Sequence, residues 1–172
     1  MTFEAPWGTR LKLLTALVVI GLVGVSIASS LAVPQHDDFL SLIMVASPLV
    51  VLLITALFMV RGYILTREAL LIRRLGWDSK VALAGLISAE ADPKAMAGSM
   101  RIFGNGGLFC IVGLFRNKKL GAYRAYATEP RLSVVLKFAK RTIVVTPDRP
   151  ERFVARIREL GQLREMTSPG AQ

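Results

Sequence analysis

An uncharged stretch of 22 residues, 39–60, constrains the fold of this chain more than any other feature. As an α-helix it would be about 33 Å long, which matches the roughly 30 Å hydrocarbon core of a bilayer. A helix buried in a soluble core would need a polar stripe, whereas the hydroxyls of Ser41, Ser47 and Thr55 can bond back to the helix itself. The stretch therefore predicts a membrane span over 39–60.

A second uncharged run, 13–33, precedes it. Arg10 and Lys12 in front of this run would also suit a signal peptide, but such peptides carry only about 7–15 apolar residues, and this run has 21. We therefore expect an uncleaved first span over 13–33, after a short N-terminal segment, 1–12. The two spans would form a transmembrane helical hairpin, 13–60.

The charges around the two spans indicate their orientation. The connection between the spans carries Asp37 and Asp38, whereas Arg10, Lys12 and Arg61 flank the other two ends. Because lysine and arginine accumulate on the cytoplasmic side of a membrane, we expect both termini in the cytoplasm.

Small residues recur at intervals of four in the first span, at Gly24, Ala28 and Ala32. Such a stripe lets another helix approach closely. The second span of the same hairpin is the nearest partner for it. A second copy of the chain is the alternative, so a homo-oligomer stays open at this point.

The residues after the spans have the size of one compact domain, which we place at 61–163, with a disordered tail at 164–172. From Arg61 onward there are 20 lysines and arginines against 9 aspartates and glutamates, a net charge of +11. The anionic headgroups of the adjacent leaflet are the nearest partner for this charge, and solvated basic faces are the alternative.

The cysteine and histidine content of the residues after the spans argues against catalysis and metal binding. Cys110 is the only cysteine and His36, which lies between the spans, is the only histidine. The domain therefore has no disulfide, no thiolate cluster and no imidazole to serve as a base. We expect no cofactor, and we interpret Cys110 as a small core residue.

Short apolar and β-branched segments in the domain predict seven strands, separated by glycine, asparagine and proline turns. The strands are expected at 63–66, 69–75, 81–91, 107–115, 122–128, 132–139 and 142–146. The segment 92–106 is expected to be irregular. One amphipathic helix follows, with Asp148 and Glu151 as a capping box, Gly161 near its end, and a buried stripe that contains Phe153 and Ile157.

Seven strands followed by one C-terminal helix resemble a pleckstrin-homology (PH) domain. The segments 101–109, 123–128 and 143–148 resemble those of the bacterial PH domains found on small membrane proteins. The resemblance implies an α+β fold, a seven-stranded antiparallel β-sandwich or barrel capped by the helix, in a protein of the bacterial inner membrane. It implies no catalytic residue and no general ligand. Eukaryotic PH domains that bind phosphoinositides use a long basic loop between the first two strands, whereas this connection is only Arg67 and Glu68.

The glycines at 104–107 could be mistaken for a phosphate-binding loop. No Lys-Ser or Lys-Thr pair follows them, and they lead into a strand and not into a helix. We therefore assign these glycines a backbone role.

The tether to the second span divides the basic residues of the domain into two groups. A first strand that leaves the bilayer at Arg61 would carry the turn at Arg67 about 13–20 Å from the surface. The candidates for contact with the membrane surface are Arg73, Arg74, Trp77, Lys80, Arg116, Lys118 and Lys119. The candidates for a protein partner are Arg67, Lys94, Arg101, Lys140 and Arg141. Trp77 suits either the core or the membrane interface.

The sequence as a whole predicts a membrane-anchored cytoplasmic PH-like binding or scaffold module, not an enzyme. Its expected partners are the anionic membrane surface and a protein. The alternative is an accessory subunit or assembly factor of a membrane enzyme or transport complex, without catalysis of its own. No nucleic-acid motif is present, so we expect no nucleic-acid partner.

Overall fold

The structure, a computed structural model, describes residues 1–32 and 38–167. Within them it forms three helices, α1 (Thr9–Ala32), α2 (Asp38–Leu57) and α3 (Pro150–Thr167). The strands are β1 (Thr2–Glu4), β2 (Val60–Leu65), β3 (Ala69–Arg74), β4 (Asp78–Ala82), β5 (Leu86–Ala91), β6 (Met100–Gly106), β7 (Ile111–Asn117), β8 (Gly121–Ala127), β9 (Val134–Phe138) and β10 (Thr142–Val145). Most of the connection between the spans, and residues 168–172 of the expected tail, lie outside the described residues. Asp38 begins α2, and residues 164–167, expected in a disordered tail, belong to α3.

The first helix is long and apolar enough, over Thr9–Leu31, to cross a membrane. The apolar part of α2, Leu42–Leu57, is shorter. The chain leaves the helix at Leu57, and Val60 is a fully buried residue of β2. The last three residues of the span expected over 39–60 therefore belong to the connection and to the domain.

The two helices pack side by side, but not through the small-residue stripe of α1. Buried and half-buried positions of α1, among them Leu22 and Ser26, share one face at helical spacing. Gly24 and Ala28 are exposed, and a Cβ added at Gly24 would meet nothing within 4 Å. The expectation that α2 packs on this stripe was wrong.

The strands form two sheets. The first has the order β1-β2-β3-β4, and the second has the order β5-β9-β10-β8-β7-β6. Most pairs are antiparallel, but β10 and β8 run parallel, which the expected all-antiparallel sandwich did not include. A short 3₁₀ helix, Pro130–Leu132, begins the connection that makes this crossover possible.

The strand β1 was not expected. Phe3 pairs with Tyr63 of β2, and the N-terminal ammonium of Met1 donates to the carbonyl of Leu65 at 3.0 Å. A strand of three residues is too short to show alternation in the sequence. The first residues of the chain, expected as a separate segment, are therefore part of the first sheet.

Two other strand predictions were wrong. The single strand expected over 81–91 is two strands, β4 and β5, which belong to different sheets and are separated at the buried Leu83 and at Gly85. The segment expected to be irregular contains β6, which is mostly exposed and therefore lacks the alternation of a half-buried strand.

The core lies between the two sheets and α3. The stripe expected on α3 is buried, and the ring of Phe153 packs edge-on against Phe3 at 5.0 Å between centroids. The expected capping box does not match the structure, because α3 begins at Pro150 and Asp148 therefore lies before the cap position; its Oδ1 accepts a hydrogen bond from the backbone amide of Glu4. Gly161 lies within α3 and does not end it.

Hydrogen bonds of Tyr63 connect the two sheets. Its hydroxyl donates to the carbonyl oxygen of Tyr126 at 2.6 Å and accepts from the backbone amide of Thr146 at 3.1 Å. Burial raises the pKa of Tyr63 to about 12, so the phenol keeps its proton, and with it the donor, even in alkaline solution.

We predict that Phe3→Ala destabilises the domain by about 3–5 kcal/mol, because it removes a buried aromatic ring from the contact with Phe153. Thr2→Ala, at an exposed position of the same strand, is expected to cost less than about 0.5 kcal/mol. Thermal unfolding of the full chain in mild detergent, followed by near-ultraviolet circular dichroism, measures both. Equal losses would show that β1 is not a core strand.

Candidate functional site

The two long helices meet the domain at one place, which we call the joint. On the α1 side, the turn between β6 and β7 lies against the first turns of the helix. The hydroxyl of Thr15 accepts a hydrogen bond from the backbone amide of Phe109 at 3.1 Å, and the ring of Phe109 lies 6.3 Å from that of Trp7. Leu14 lies so close to Gly107 that a Cβ there would come within 2.5 Å of it.

On the α2 side, the joint is made by the end of the helix and the turn between β3 and β4. The backbone amide of Gly76 donates to the carbonyl of Leu57 at 3.4 Å. The thiol of Cys110 donates to the carbonyl of Phe58 at 3.3 Å, and the Phe58 ring packs edge-on against Trp77 at 4.8 Å. The beginning of α1 and the end of α2 are therefore both held at the same edge of the domain.

Cys110 is buried at this point, as expected for a core residue. Burial raises the pKa of its thiol to about 11, and the charge of Arg74 offsets this only in part. A thiol with so high a pKa is a poor nucleophile at neutral pH.

Arg74 occupies the centre of the joint. Its guanidinium carbon lies 5.7 Å from the ring centroid of Phe58 and 5.4 Å from those of Trp77 and Tyr126. Each such cation–π contact contributes roughly 0.5–2 kcal/mol, depending on how much water is excluded. The Nε atom is buried and has no hydrogen-bond partner among the described residues. Aromatic ring faces therefore surround the charge of Arg74, and no carboxylate in the described part of the chain forms an ion pair with it.

Beside Arg74, the strands β6, β7 and β8 present one face towards the end of α2. Cross-strand pairing places Phe103, Leu114 and Arg124 in one row of this face. A parallel row contains Val112 and Tyr126. A cavity of about 500 Å³ lies over these rows, and Thr55 and Phe58 of α2 and its C-terminal connection form another wall.

A pair of facing glycines allows this face to form. Gly104 and Gly113 are cross-strand partners with φ angles of 110° and 147°. A Cβ at Gly104 would lie 2.3 Å from the carbonyl oxygen of Val112, and one at Gly113 would lie 2.1 Å from that of Phe103. The backbone role expected for Gly104 is confirmed, although this residue lies in a strand and not in a turn.

The turn itself depends on Asn105. Its side-chain oxygen accepts from the backbone amides of Gly107 and Leu108 at 3.1 and 3.0 Å. This is an Asx-type turn, which a side-chain amide forms readily. The glycine-rich sequence therefore forms a turn that packs against α1, where the hydroxyl of Thr15 accepts the hydrogen bond from Phe109.

The basic residues expected at the membrane surface divide into two sets. Arg73, Arg74, Trp77 and Lys80 lie together on the β3–β4 hairpin at the joint, with Arg73 and Lys80 exposed on its outer face. Trp77 is 43% exposed, which excludes the core position. The other set, Arg116, Lys118 and Lys119, lies at the end of β7 remote from the turn that contacts α1, about 20 Å away along the strand.

The residues expected at a partner surface also separate. Arg67, Lys140 and Arg141 lie in turns at the far end of the domain, where Arg141 donates to the carbonyl of Ala82 at 3.4 Å. Lys94 and Lys119 both lie close to Asp92, whose pKa they lower, Lys119 most of all through its hydrogen bond and ion pair. Lys94 thus belongs with the β7–β8 turn.

Arg101 lies neither at the far end of the domain nor beside the β7–β8 turn. It lies on β6, where its guanidinium approaches Gly106 beside the joint. No three histidine, cysteine, aspartate or glutamate side chains are grouped to hold a metal ion in the part of the chain that the structure describes.

Sequence reasoning missed the assembly of the joint, because its members come from α1, the end of α2, the β3–β4 hairpin, the β6–β7 turn and β8. Thr15 and Phe58 were assigned to membrane spans, and Tyr126 to an ordinary core strand. The clustering of Phe58 and Trp77 around one arginine has no signature in sequence spacing. The visible signals were the glycine-rich turn and the closeness of Arg74 and Trp77 in the sequence, which placed both among the candidates for contact with the membrane surface.

A family model described as a bacterial PH domain matches residues 61–161, more than half of the chain. The match confirms the expected resemblance and nearly coincides with the domain expected at 61–163. No curated protein and no solved structure gives a significant match.

We predict that Gly113→Ala destabilises the domain by roughly 3 kcal/mol, because the new Cβ adds a clash with the carbonyl of Phe103 to an unfavourable φ. Gly121→Ala is the matched control, since Gly121 also has a positive φ, 67°, but open space around its Cβ. This control is expected to cost about 1–2 kcal/mol. Thermal unfolding of both variants in detergent tests the difference, and equal costs would contradict the close approach of β6 and β7.

Proposed function

Because the chain belongs to the bacterial PH domain family, we propose that it is a binding module anchored by two membrane spans, with its PH-like domain held against the cytoplasmic leaflet. PH domains are generally binding modules without catalysis. The proposal adds to this the number of spans, the side of the membrane and the surface that faces the lipid.

The pairing of β1 with β2 is the observation that carries the proposal. These strands come before α1 and after α2, yet they are neighbours in one sheet. Residues hydrogen-bonded in one sheet lie on the same side of a membrane. If α1 crosses the bilayer, the chain must therefore cross again before β2, and α2, with 20 residues and about 30 Å of length, can do so.

The same pairing supports an uncleaved first span. Cleavage after α1 would remove β1, and with it the buried ring of Phe3 and its contact with Phe153. The positive charges of Arg10 and Arg61 favour the cytoplasmic side for the domain. The proposed location is thus the bacterial inner membrane, with both termini in the cytoplasm.

The contacts in the joint support the proposal that this side of the domain faces the lipid. Trp77 packs on Phe58 directly after α2 and leaves 43% of its side chain exposed, as is typical of aromatic residues at a membrane interface. Arg73 and Lys80 on the outer face of the same hairpin would lie near anionic headgroups, where each contributes about 1 kcal/mol. The far end, with Arg67, remains the candidate surface for an acidic protein partner.

We predict that a reporter active only outside the cytoplasm is silent when it is fused after Gln172. The same reporter inserted after His36, between the two spans, is expected to be active. The reason is that two crossings return the chain to its starting side. Activity of the C-terminal fusion would overturn the topology.

We also predict that Trp77 lies at headgroup depth. Trp7→Phe leaves Trp77 as the single tryptophan, and its fluorescence in vesicles should be quenched more by lipids brominated near the top of the acyl chain than by lipids brominated near the end. The matched control carries Trp7→Phe, Trp77→Phe and Arg67→Trp, which moves the fluorophore to the far end of the domain. Quenching of the control to the same extent would refute the proposed orientation.

A further inference from the structure

The cavity of about 500 Å³ at the end of α2 has a lining that the binding-module proposal leaves unexplained. Its size lies within the range of small-molecule sites, which is about 300–1,000 Å³. Its wall is largely apolar and contains two guanidinium groups. The lining residues that matter for binding are Arg74, Arg124, Phe103, Leu114 and Thr55.

The two arginines carry charge that the described part of the protein does not balance. The lining has no aspartate or glutamate. The ion pairs among the described residues involve Lys119, Arg149 and Arg156, and neither Arg74 nor Arg124. Aromatic faces compensate the charge of Arg74 only in part, since its Nε remains without an acceptor there. An anionic group in the cavity would balance the two guanidinium charges.

The remaining wall suits hydrocarbon. Phe103 and Leu114 lie in one cross-strand row with Arg124, so apolar surface continues directly from the charged group. Phe103 is 79% exposed and Leu114 is 37% exposed, which leaves this side of the cavity open. Thr55 in the last turn of α2 places the opening beside the surface of a span.

We propose that this cavity binds the headgroup phosphate of an anionic glycerophospholipid from the leaflet in which α2 ends. The phosphate lies between Arg74 and Arg124, and the first acyl carbons lie against Phe103 and Leu114. The proposal rests on the proposed function for the position of α2 in the bilayer. A headgroup that also carries an ammonium is disfavoured, because the lining offers it two like charges and no carboxylate.

The test uses the full chain in mild detergent, titrated with dioleoylphosphatidylglycerol or with dioleoylphosphatidylcholine, with bound lipids counted by native mass spectrometry. We expect the first phosphatidylglycerol to bind more tightly than phosphatidylcholine. Arg124→Gln should weaken it about tenfold, because a charge-assisted hydrogen bond is lost. Since Arg124 is exposed, this variant is expected to keep the wild-type unfolding temperature.

Two further variants separate the site from general attraction to the basic domain. Arg67→Gln removes the same charge at the far end and should leave phosphatidylglycerol binding unchanged. Leu114→Trp fills the cavity without a change in charge and should also weaken the tight site. Equal affinities of Arg124→Gln and Arg67→Gln, or equal binding of the two lipids by the wild type, would overturn the proposal.

A soluble phosphate ester is the other source of the same chemistry. Glycerol 3-phosphate should not displace the bound lipid, because it lacks the acyl chains that Phe103 and Leu114 contact. Displacement at concentrations similar to those of the lipid would assign the cavity to a soluble ligand and overturn the lipid assignment.

Failure of this proposal is distinguishable from failure of the proposed function. The titration in detergent has no sidedness, so it tests the cavity whatever the reporter after Gln172 shows. Conversely, quenching of Trp77 by lipid together with unchanged affinity in Arg124→Gln would preserve the membrane-anchored module and remove only the lipid site.

Discussion

The backbone pairing of β1 with β2 is the constraint on which the rest of the structure depends. It joins residues on either side of two long helices, so the helical pair is in effect an insertion into the first sheet. Closing so long a connection has an entropic cost, which grows only slowly with its length. The burial of Phe3 against Phe153 offsets that cost. The first sheet can therefore be completed only after α2 has been synthesised, because β2 follows α2 in the chain. The folding of the domain thus depends on the placement of both helices.

The joint transmits this constraint to the second sheet. The turn between β6 and β7 reaches α1 through Thr15, while Tyr63 of the first sheet bonds to the carbonyl of Tyr126 in the second. Buried polar groups that are fully paired favour one arrangement over its alternatives, because any shift leaves a donor or an acceptor unsatisfied. The domain is thus oriented relative to the helices by contacts at several points and not by a flexible linker.

The features that the sequence predicted are patterns of neighbouring residues. The two uncharged runs, the buried stripe of α3 and the apolar segment at β8 are each visible within one short stretch of chain, and the structure contains all four elements, α1, α2, α3 and β8. The rest depends on contacts between distant residues. β1 is three residues long, and β6 is an exposed edge strand whose glycines hide its pairing. The cation–π cluster at Arg74 and the cavity beside it are assembled from several strands and the end of α2, so no spacing in the chain reveals them.

The glycine-rich sequence at 103–107 can be explained by structure alone. Phe103 lines the cavity, Gly104 permits the close approach to Gly113, Asn105 forms the turn, and Gly107 accommodates Leu14 of α1. Four neighbouring residues thus serve the cavity, the strand pair, the turn and the contact with the first helix. A larger residue at either glycine would clash either with the facing strand or with the helix. A sequence that looks like a loop for binding phosphate through its backbone amides therefore makes the contact between the domain and α1, and the two arginines that line the cavity come from other strands.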